Sequence, residues 1–296
     1  MYNVFNVKSS SDWVLPLKSC LINFSVLKEI KASAPFRSFS IKYVSKGCER
    51  YTVNGNKYLI NSGEYLIANH HAEGIVEIEK EVTGICIDVA PDLLSEAVAS
   101  YLRPDTMMAD RALDIFFNHS DFLENKYSFA GTHVGKFLKQ LDLNLEQNPL
   151  NGYQLNREFY LLLAEKIVED HVSIFKQLTQ VKQLKEATRK DIVRKIIKSM
   201  THMESCFDMP LKVAEVAAAC GMSEYHYFRM FRMVNRISPH QYILQVRLNK
   251  AKNLLKKNGV SISEAAYLSG FNDIYTFSKA YKKYFGYSPS LDPELK

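Results

Sequence analysis

Apolar and polar positions alternate in short runs between about Asn23 and Val89, which predicts strands rather than helices. Phe39, Ile41 and Tyr43 alternate with polar neighbours, and Tyr51 and Val53 continue the pattern. Asn54-Gly55, just ahead of Lys57-Tyr58-Leu59-Ile60, is a hairpin sequence, because both residues tolerate positive φ. Asn61-Ser62-Gly63 turns the chain again into Glu64–Ile67, and further strands fit Ile75–Ile78 and Val82–Val89. So many short strands predict a sandwich or barrel with a concave interior.

The period becomes helical from Pro91 onward. Helices are expected near Asp92–Leu102, Thr132–Gln147 and Gln154–Phe175, the last with Leu155, Phe159, Leu162, Leu163, Ile167 and Ile174 as an apolar stripe. Residues 176–190 are polar and lack Gly and Pro, which predicts a partly helical linker. The expected division is therefore a domain over 1–175, a linker over 176–190 and a second domain over 191–296.

The second domain repeats itself. Val213, Glu215, Ala217 and Gly221 recur 49 residues later as Ile262, Glu264, Ala266 and Gly270. After one extra residue the offset is 50: Ser223 pairs with Asp273, Tyr225 with Tyr275, Tyr227 with Phe277, Arg229 with Lys279, Phe231 with Tyr281, and Arg232 with Lys282. Ser238-Pro239 likewise returns as Ser288-Pro289. Each unit reads as a helix, a glycine turn and a second helix capped by Ser223 or Asp273, the order of a helix-turn-helix. Tyr227 and Phe231, or Phe277 and Tyr281, are four apart and should face a core. The opposite faces then carry Tyr225, His226, Arg229 and Arg232, or Tyr275, Thr276, Ser278, Lys279, Lys282 and Lys283. A guanidinium can pair with a guanine edge, and nearby cations neutralise phosphates, so these are the expected DNA-binding residues. Between the units, Ser238-Pro239 to about Lys257 reads as one helix with Leu244, Leu248, Ala251 and Leu255 along one side. Its length of about 28 Å is compatible with reading helices in successive major grooves about 34 Å apart.

Charge sharpens this reading. Residues 1–188 carry 20 Lys+Arg against 23 Asp+Glu, net −3, whereas residues 189–296 carry 18 against 9, net +9. A basic domain beside a mildly acidic one fits a polyanion partner. At 296 residues, 47% hydrophobic and 24% charged, the chain has the composition of about two globular domains. No run approaches the roughly 18 apolar residues of a membrane span, and Met1–Trp13 has no secretory pattern, so a cytoplasmic protein with no membrane partner is expected. Cys20, Cys48, Cys86, Cys206 and Cys220 are scattered and never form a C-x-x-C pair, which favours reduced thiols over disulfides or zinc.

From Leu211 to Pro289 the chain resembles the AraC family of transcription regulators. SISEAAYLSGFNDIYTFSKAYKKYFGYSP is similar to that family's second helix-turn-helix. The first half matches through Met222-Ser223, Arg229, Phe231-Arg232, Ser238-Pro239, Tyr242, Arg247-Leu248, Ala251 and Leu254-Leu255. Arg236 stands where the family usually has a helix-ending glycine, and Asn235 is expected to supply the left-handed turn instead. The resemblance implies an α+β multidomain fold: an N-terminal cupin-like β-barrel with trailing helices, then an all-α domain with two helix-turn-helix units joined by a long helix. It implies a sequence-specific DNA-binding regulator, not an enzyme, and an activator controlled by a small effector in the first domain. Expected partners are double-stranded operator DNA, a second copy of the chain and RNA polymerase.

Ile41, Tyr43, Tyr51, Tyr65 and Ile67 are the candidate effector-lining residues, offering mixed apolar and polar groups. Leu155, Phe159, Leu162 and Ile167 are the dimerisation candidates. No cofactor is expected. One alternative keeps DNA binding but gives control to a protein partner. Another is a cupin-type metalloenzyme with a DNA-binding tail and His70 and His71 as ligands. Adjacent histidines in a strand would point to opposite faces, and the cupin order of alternating histidines followed by glutamate is absent.

Overall fold

The computed structural model describes residues 3–7, 20–33, 36, 38–101, 107–147, 155–256 and 259–295. Leu102, Gln154 and Lys257, ends of three expected helices, lie outside the described residues, as does Met1–Trp13 apart from 3–7. The chain divides into two compact units, Met1–Lys176 and Gln177–Lys296.

In the first unit the strands are β1 (Asn3–Val7), β2 (Leu21–Leu27), β3 (Ile30–Ser33), β4 (Phe39–Lys46), β5 (Cys48–Val53), β6 (Asn56–Asn61), β7 (Glu64–Ala68), β8 (Gly74–Ile78), β9 (Val82–Val89) and β10 (Asn125–Ser128). The helices are α1 (Pro91–Tyr101), α2 (Met107–Asn118), α3 (His133–Gln147) and α4 (Arg157–Gln180). One sheet has the order β1-β2-β9-β4-β7-β10, antiparallel except for β1 beside β2, and the other has the order β3-β8-β5-β6.

The expected barrel is corrected in this respect: the strands form two sheets, and among the described residues no ladder closes them. The connections explain it. Gly47, at φ +89°, turns the chain from β4 into the other sheet, and Gly63, at φ +79°, returns it from β6 to β7. A Cβ on Gly47 would lie 2.8 Å from the Glu81 carbonyl oxygen, so that corner requires glycine. Asn54 and Gly55, both at positive φ, close the β5–β6 hairpin as their sequence predicts.

Both faces of the larger sheet are covered. Val44 and Leu66 pack with Val53, Tyr58, Ile60 and Val76 between the sheets. On the other face, the Phe39 ring meets Phe117 of α2, Phe122 of the turn that follows it and His171 of α4. Each such side chain, fully buried, contributes about 1.5–3 kcal/mol.

The second unit begins within the last turn of α4. Residues 177–180 end that helix, 181–184 turn, and α5 (Glu186–Ser205) follows. Next come α6 (Val213–Ala219), α7 (Glu224–Asn235), α8 (Pro239–Leu255), α9 (Ile262–Leu268) and α10 (Ile274–Phe285). α5 packs on α6, α7 and α8. A second core joins Leu248 and Ala251 of α8 to Ala266, Phe271, Phe277 and Tyr281. α8 starts from a full capping box, Ser238 with Gln241 around Pro239, and its 17 residues span about 25 Å. Of its expected apolar side, Leu248 and Ala251 are buried, whereas Leu244 is exposed.

Candidate nucleic-acid interface

The two helix-turn-helix units are built alike. Gly221 at φ +67° and Gly270 at φ +83° make the turns after α6 and α9. Ser223 Oγ accepts from the His226 backbone N–H at 3.4 Å, and Asp273 Oδ1 accepts from the Thr276 N–H at 2.7 Å, so both expected N-caps are formed. The same Thr276 hydroxyl donates to Asp273 Oδ2 at 2.8 Å. These bonds hold the Asp273 carboxyl below its usual range and keep it charged at the α10 N-terminus.

Along α7, Tyr227, Met230, Phe231 and Val234 are buried, at the i, i+3, i+4, i+7 spacing of one helix face. Tyr225, His226, Arg229 and Arg232 are exposed in consequence. In α10, Phe277 and Tyr281 are buried, and Tyr275, Thr276, Lys279, Lys282 and Lys283 are exposed, with Ser278 half-buried. Tyr225 and Tyr275, 79% and 76% exposed, hold the same position 50 residues apart and present phenols beside the cations.

The helix ends differ. Gly286 closes α10 at φ +90°, but Arg236 itself takes the left-handed conformation after α7, at φ +62°. Asn235 stays helical, so the expectation that it makes the turn is corrected. A left-handed non-glycine residue costs roughly 1–2 kcal/mol. Hydrogen bonds at the site offset that cost: Arg236 Nε donates to Gln180 Oε1 at 2.8 Å, and Gln177 Nε2 donates to Asn235 Oδ1 at 2.8 Å.

The effector candidates do not gather in one place. Tyr43 and Ile41 face Tyr65 and Ile67 across the β4–β7 ladder. Tyr43 donates to Asp142 of α3 at 3.0 Å and Tyr65 to Thr132 at 2.9 Å, which puts this group on the helix-covered face. Tyr51 is buried in the opposite, sheet-to-sheet interior. Beside Tyr51 lies a polar group that periodicity alone did not single out: Ser40 and Lys42 of β4, Glu49, and Cys86 and Asp88 of β9. The signal was the other half of the alternation, because polar residues on a strand buried on both faces are as telling as apolar ones. Ser40 donates to Asp88 and Lys42 Nζ lies 2.6 Å from Cys86 Sγ. Burial pushes the Glu49 carboxyl up, against the pull of Tyr51 and Lys42. Burial alone would lower the Lys42 ammonium, but Cys86, Asp88 and Glu49 outweigh it and raise it.

Among the dimerisation candidates, Ile167 is fully buried within its own unit, and the Phe159 ring packs on Phe137 at 5.2 Å. Leu155 is half-buried just before α4, and Leu162 is 45% exposed. His70 and His71 sit in a turn after β7 rather than in a strand, so their rings lie together, 4.2 Å apart, and not on opposite faces. His71 Nε2 is 3.0 Å from the Asn118 carbonyl oxygen. Among the described residues no three His, Cys, Asp or Glu side chains are grouped to hold a metal ion, and no helix is long and apolar enough to cross a membrane.

Residues 216–291 match the family model described as a helix-turn-helix domain. The Msm operon regulatory protein of Streptococcus mutans is 34% identical over 213 residues, covering 67% of this chain and 72% of that protein. The uncharacterized HTH-type transcriptional regulator YbfI of Bacillus subtilis is 25% identical over 239 residues, 79% of this chain and 77% of its own. Among solved structures, an AraC-type transcriptional regulator from Chromobacterium violaceum is 29% identical, covering 34% of this chain and 88% of its own, with a TM-score of 0.32. With two helix-turn-helix units in its basic C-terminal region and the Streptococcus mutans relative 34% identical and covered over 72% of its length, the chain belongs to the AraC family of DNA-binding transcription regulators and is not an enzyme.

Proposed function

We propose that this regulator reads promoter operator DNA through both α7 and α10, each in a major groove. The observation that carries this reading is the repetition of one exposed face, Tyr225-Arg229-Arg232 and Tyr275-Lys279-Lys282, on two helices built from different core residues. Nothing in core packing demands a tyrosine and two cations at matched positions; a groove lined by phosphates and base edges does. His226, Thr276, Ser278 and Lys283 flank that face and supply further hydrogen bonds and charge. The chain acts in the cytoplasm as an activator, contacting RNA polymerase when bound. Selection of sites from a random DNA pool by the full chain tests this: two blocks of preferred sequence one helical turn apart are expected, and binding with no preference defeats it.

Control comes from a small effector held between the two sheets of the first unit. What supports this is the group Ser40, Lys42, Glu49, Tyr51, Cys86 and Asp88 beside the apolar core between the sheets, since polar groups cost stability when buried and mark sites of function. Ile41, Tyr43, Tyr65 and Ile67 back the same sheet from its helix-covered face. Coupling of about 1–3 kcal/mol between effector and DNA gives a several-fold response. Calorimetry of the full chain against fractionated cell extract, paired with operator binding, is the test; control by a protein fraction alone would replace the effector reading. Assembly is a homodimer through the outer side of α4 around Leu155, Phe159 and Leu162, and not through Ile167. Leu162→Glu should shift light scattering towards monomer, and a folded variant that stays dimeric places the interface elsewhere.

A further inference from the structure

Lys42 and Cys86 stand directly opposite each other in the antiparallel β4–β9 ladder, so the backbone holds their side chains side by side on one face. Nζ lies 2.6 Å from Sγ. Hydrogen bonds from N–H to oxygen are usually about 2.9 Å long, and sulfur is the larger atom, so this approach is closer than an N–H···S hydrogen bond. A resting pair of ammonium and thiolate would also stand at hydrogen-bond distance rather than this close, and burial pushes the Cys86 thiol up, against that pairing. Two single bonds to one shared oxygen, bent near the tetrahedral angle, hold nitrogen and sulfur at this separation. A direct nitrogen–sulfur bond would require them much closer. Both residues are half-buried, so a small oxidant can reach them.

We propose that Lys42 and Cys86 form a covalent modification site at which hydrogen peroxide joins Nζ to Sγ through one oxygen atom. The ammonium first releases a proton to solvent. The S–H bond and one N–H bond then break, S–O and O–N bonds form, two peroxide O–O bonds break, and three water molecules leave. Sulfur and nitrogen together lose four electrons, two to each peroxide. One peroxide takes the thiol to a sulfenic acid and the other takes the neighbouring amine to a hydroxylamine, each releasing one water, and the two condense with loss of the third water before a sulfinic acid can form. Two molecules of dithiothreitol return the four electrons, restoring thiol and amine with loss of water. The bridge removes the positive charge that faces Glu49 and Asp88, so oxidation changes the electrostatics of the sandwich interior. This inference stands on the geometry of the pair, whether or not an effector binds beside it.

Intact-mass analysis and peptide mapping of the full chain, treated with hydrogen peroxide and then denatured, test the site. The expected product is heavier than untreated protein by one oxygen less two hydrogens, joins the peptides bearing Lys42 and Cys86, and reverts with dithiothreitol. Lys42→Arg and Cys86→Ser, checked for folding by circular dichroism, should lack it. A product lighter by two hydrogens, Cys86 oxidised with Lys42 free, or Cys86 left unmodified would each overturn the proposal, and each is read on the unaltered chain.

Discussion

The Tyr281 hydroxyl donates to the buried carboxylate of Asp292 across 2.5 Å, and Lys252 Nζ reaches the same group at 3.3 Å. Phe231, the counterpart of Tyr281 in the first half, has no hydroxyl, so this tie belongs to the second helix-turn-helix alone. Burial alone would raise the Asp292 carboxyl, but Tyr281, the Glu294 backbone N–H and Lys252 hold it below its ordinary range. A folded value below the unfolded one gives stability that is complete above about pH 4 and lost as the pH falls further. Urea unfolding of the full chain from pH 7 to 3 should show that loss. Asp292→Asn should flatten it and cost about 2 kcal/mol at pH 7.

Gly221 and Gly270 hold equivalent turns but unequal space. A Cβ on Gly221 would meet nothing within 4 Å, whereas one on Gly270 would lie 2.8 Å from the Phe207 carbonyl oxygen and 3.1 Å from Arg247 Nε. Left-handed strain costs either alanine roughly 1–2 kcal/mol. Gly270→Ala also displaces Arg247, which donates to the Phe207 and Met209 carbonyls at 2.7 and 2.8 Å. Its melting temperature should fall at least twice as far as that of Gly221→Ala; equal shifts would show that the crowding is relieved at no cost.

Specificity should separate from charge. Arg229→Ala and Lys279→Ala are expected to lose about 1–3 kcal/mol of discrimination wherever a base contact is removed. Lys28→Ala, an exposed lysine of the first unit, should leave preferences unchanged. Site selection with each variant checks this, and unaltered preferences for both reading-helix variants would contradict it.

His171 is enclosed by the rings of Phe39, Phe117, Phe122 and Tyr127, with Nδ1 2.8 Å from the Ile167 carbonyl oxygen and Nε2 without a hydrogen-bond partner among the described residues. Burial pushes the imidazole below its usual value, against the pull of that carbonyl and Asp170. The folded chain therefore favours neutral His171, and stability should decline as the pH drops below about 6.5. His171→Phe should weaken the decline between pH 7 and 5 in thermal melts. An unchanged profile would assign it to other groups.

Much of the second unit was legible because it is written twice. The offsets of 49 and 50 locate α6 and α9, α7 and α10, and the two glycine turns, since the same packing problem is solved twice with the same residue types. Arg236 escaped because hydrogen bonds to Gln180, distant in sequence, make its conformation tolerable. In the first unit, alternation located the strands from Phe39 to Val89 but not which face held the polar group. Alternation marks faces only when one is wet, and β4 is covered on both sides, so Ser40 is as enclosed as Ile41 and Tyr43, and Lys42 is half-buried beside it. α2 and the four-residue β10 were not anticipated, the latter because Asn125–Ser128 is too short to show a period.

α8 contributes to both cores: the Tyr242 ring meets Phe231 at 5.6 Å, and Leu248 and Ala251 sit among Phe271, Phe277 and Tyr281. A beam shared in this way acts as a ruler. The separation and phase of the two reading helices are set by packed side chains rather than by a hinge, and each base pair added between the operator blocks turns one block about 35° around the duplex relative to the other. Moving the blocks apart by half a helical turn should weaken binding as much as scrambling one of them. Any mismatch of pitch then falls on the DNA, which has to bend or twist to meet a reader that does not adjust.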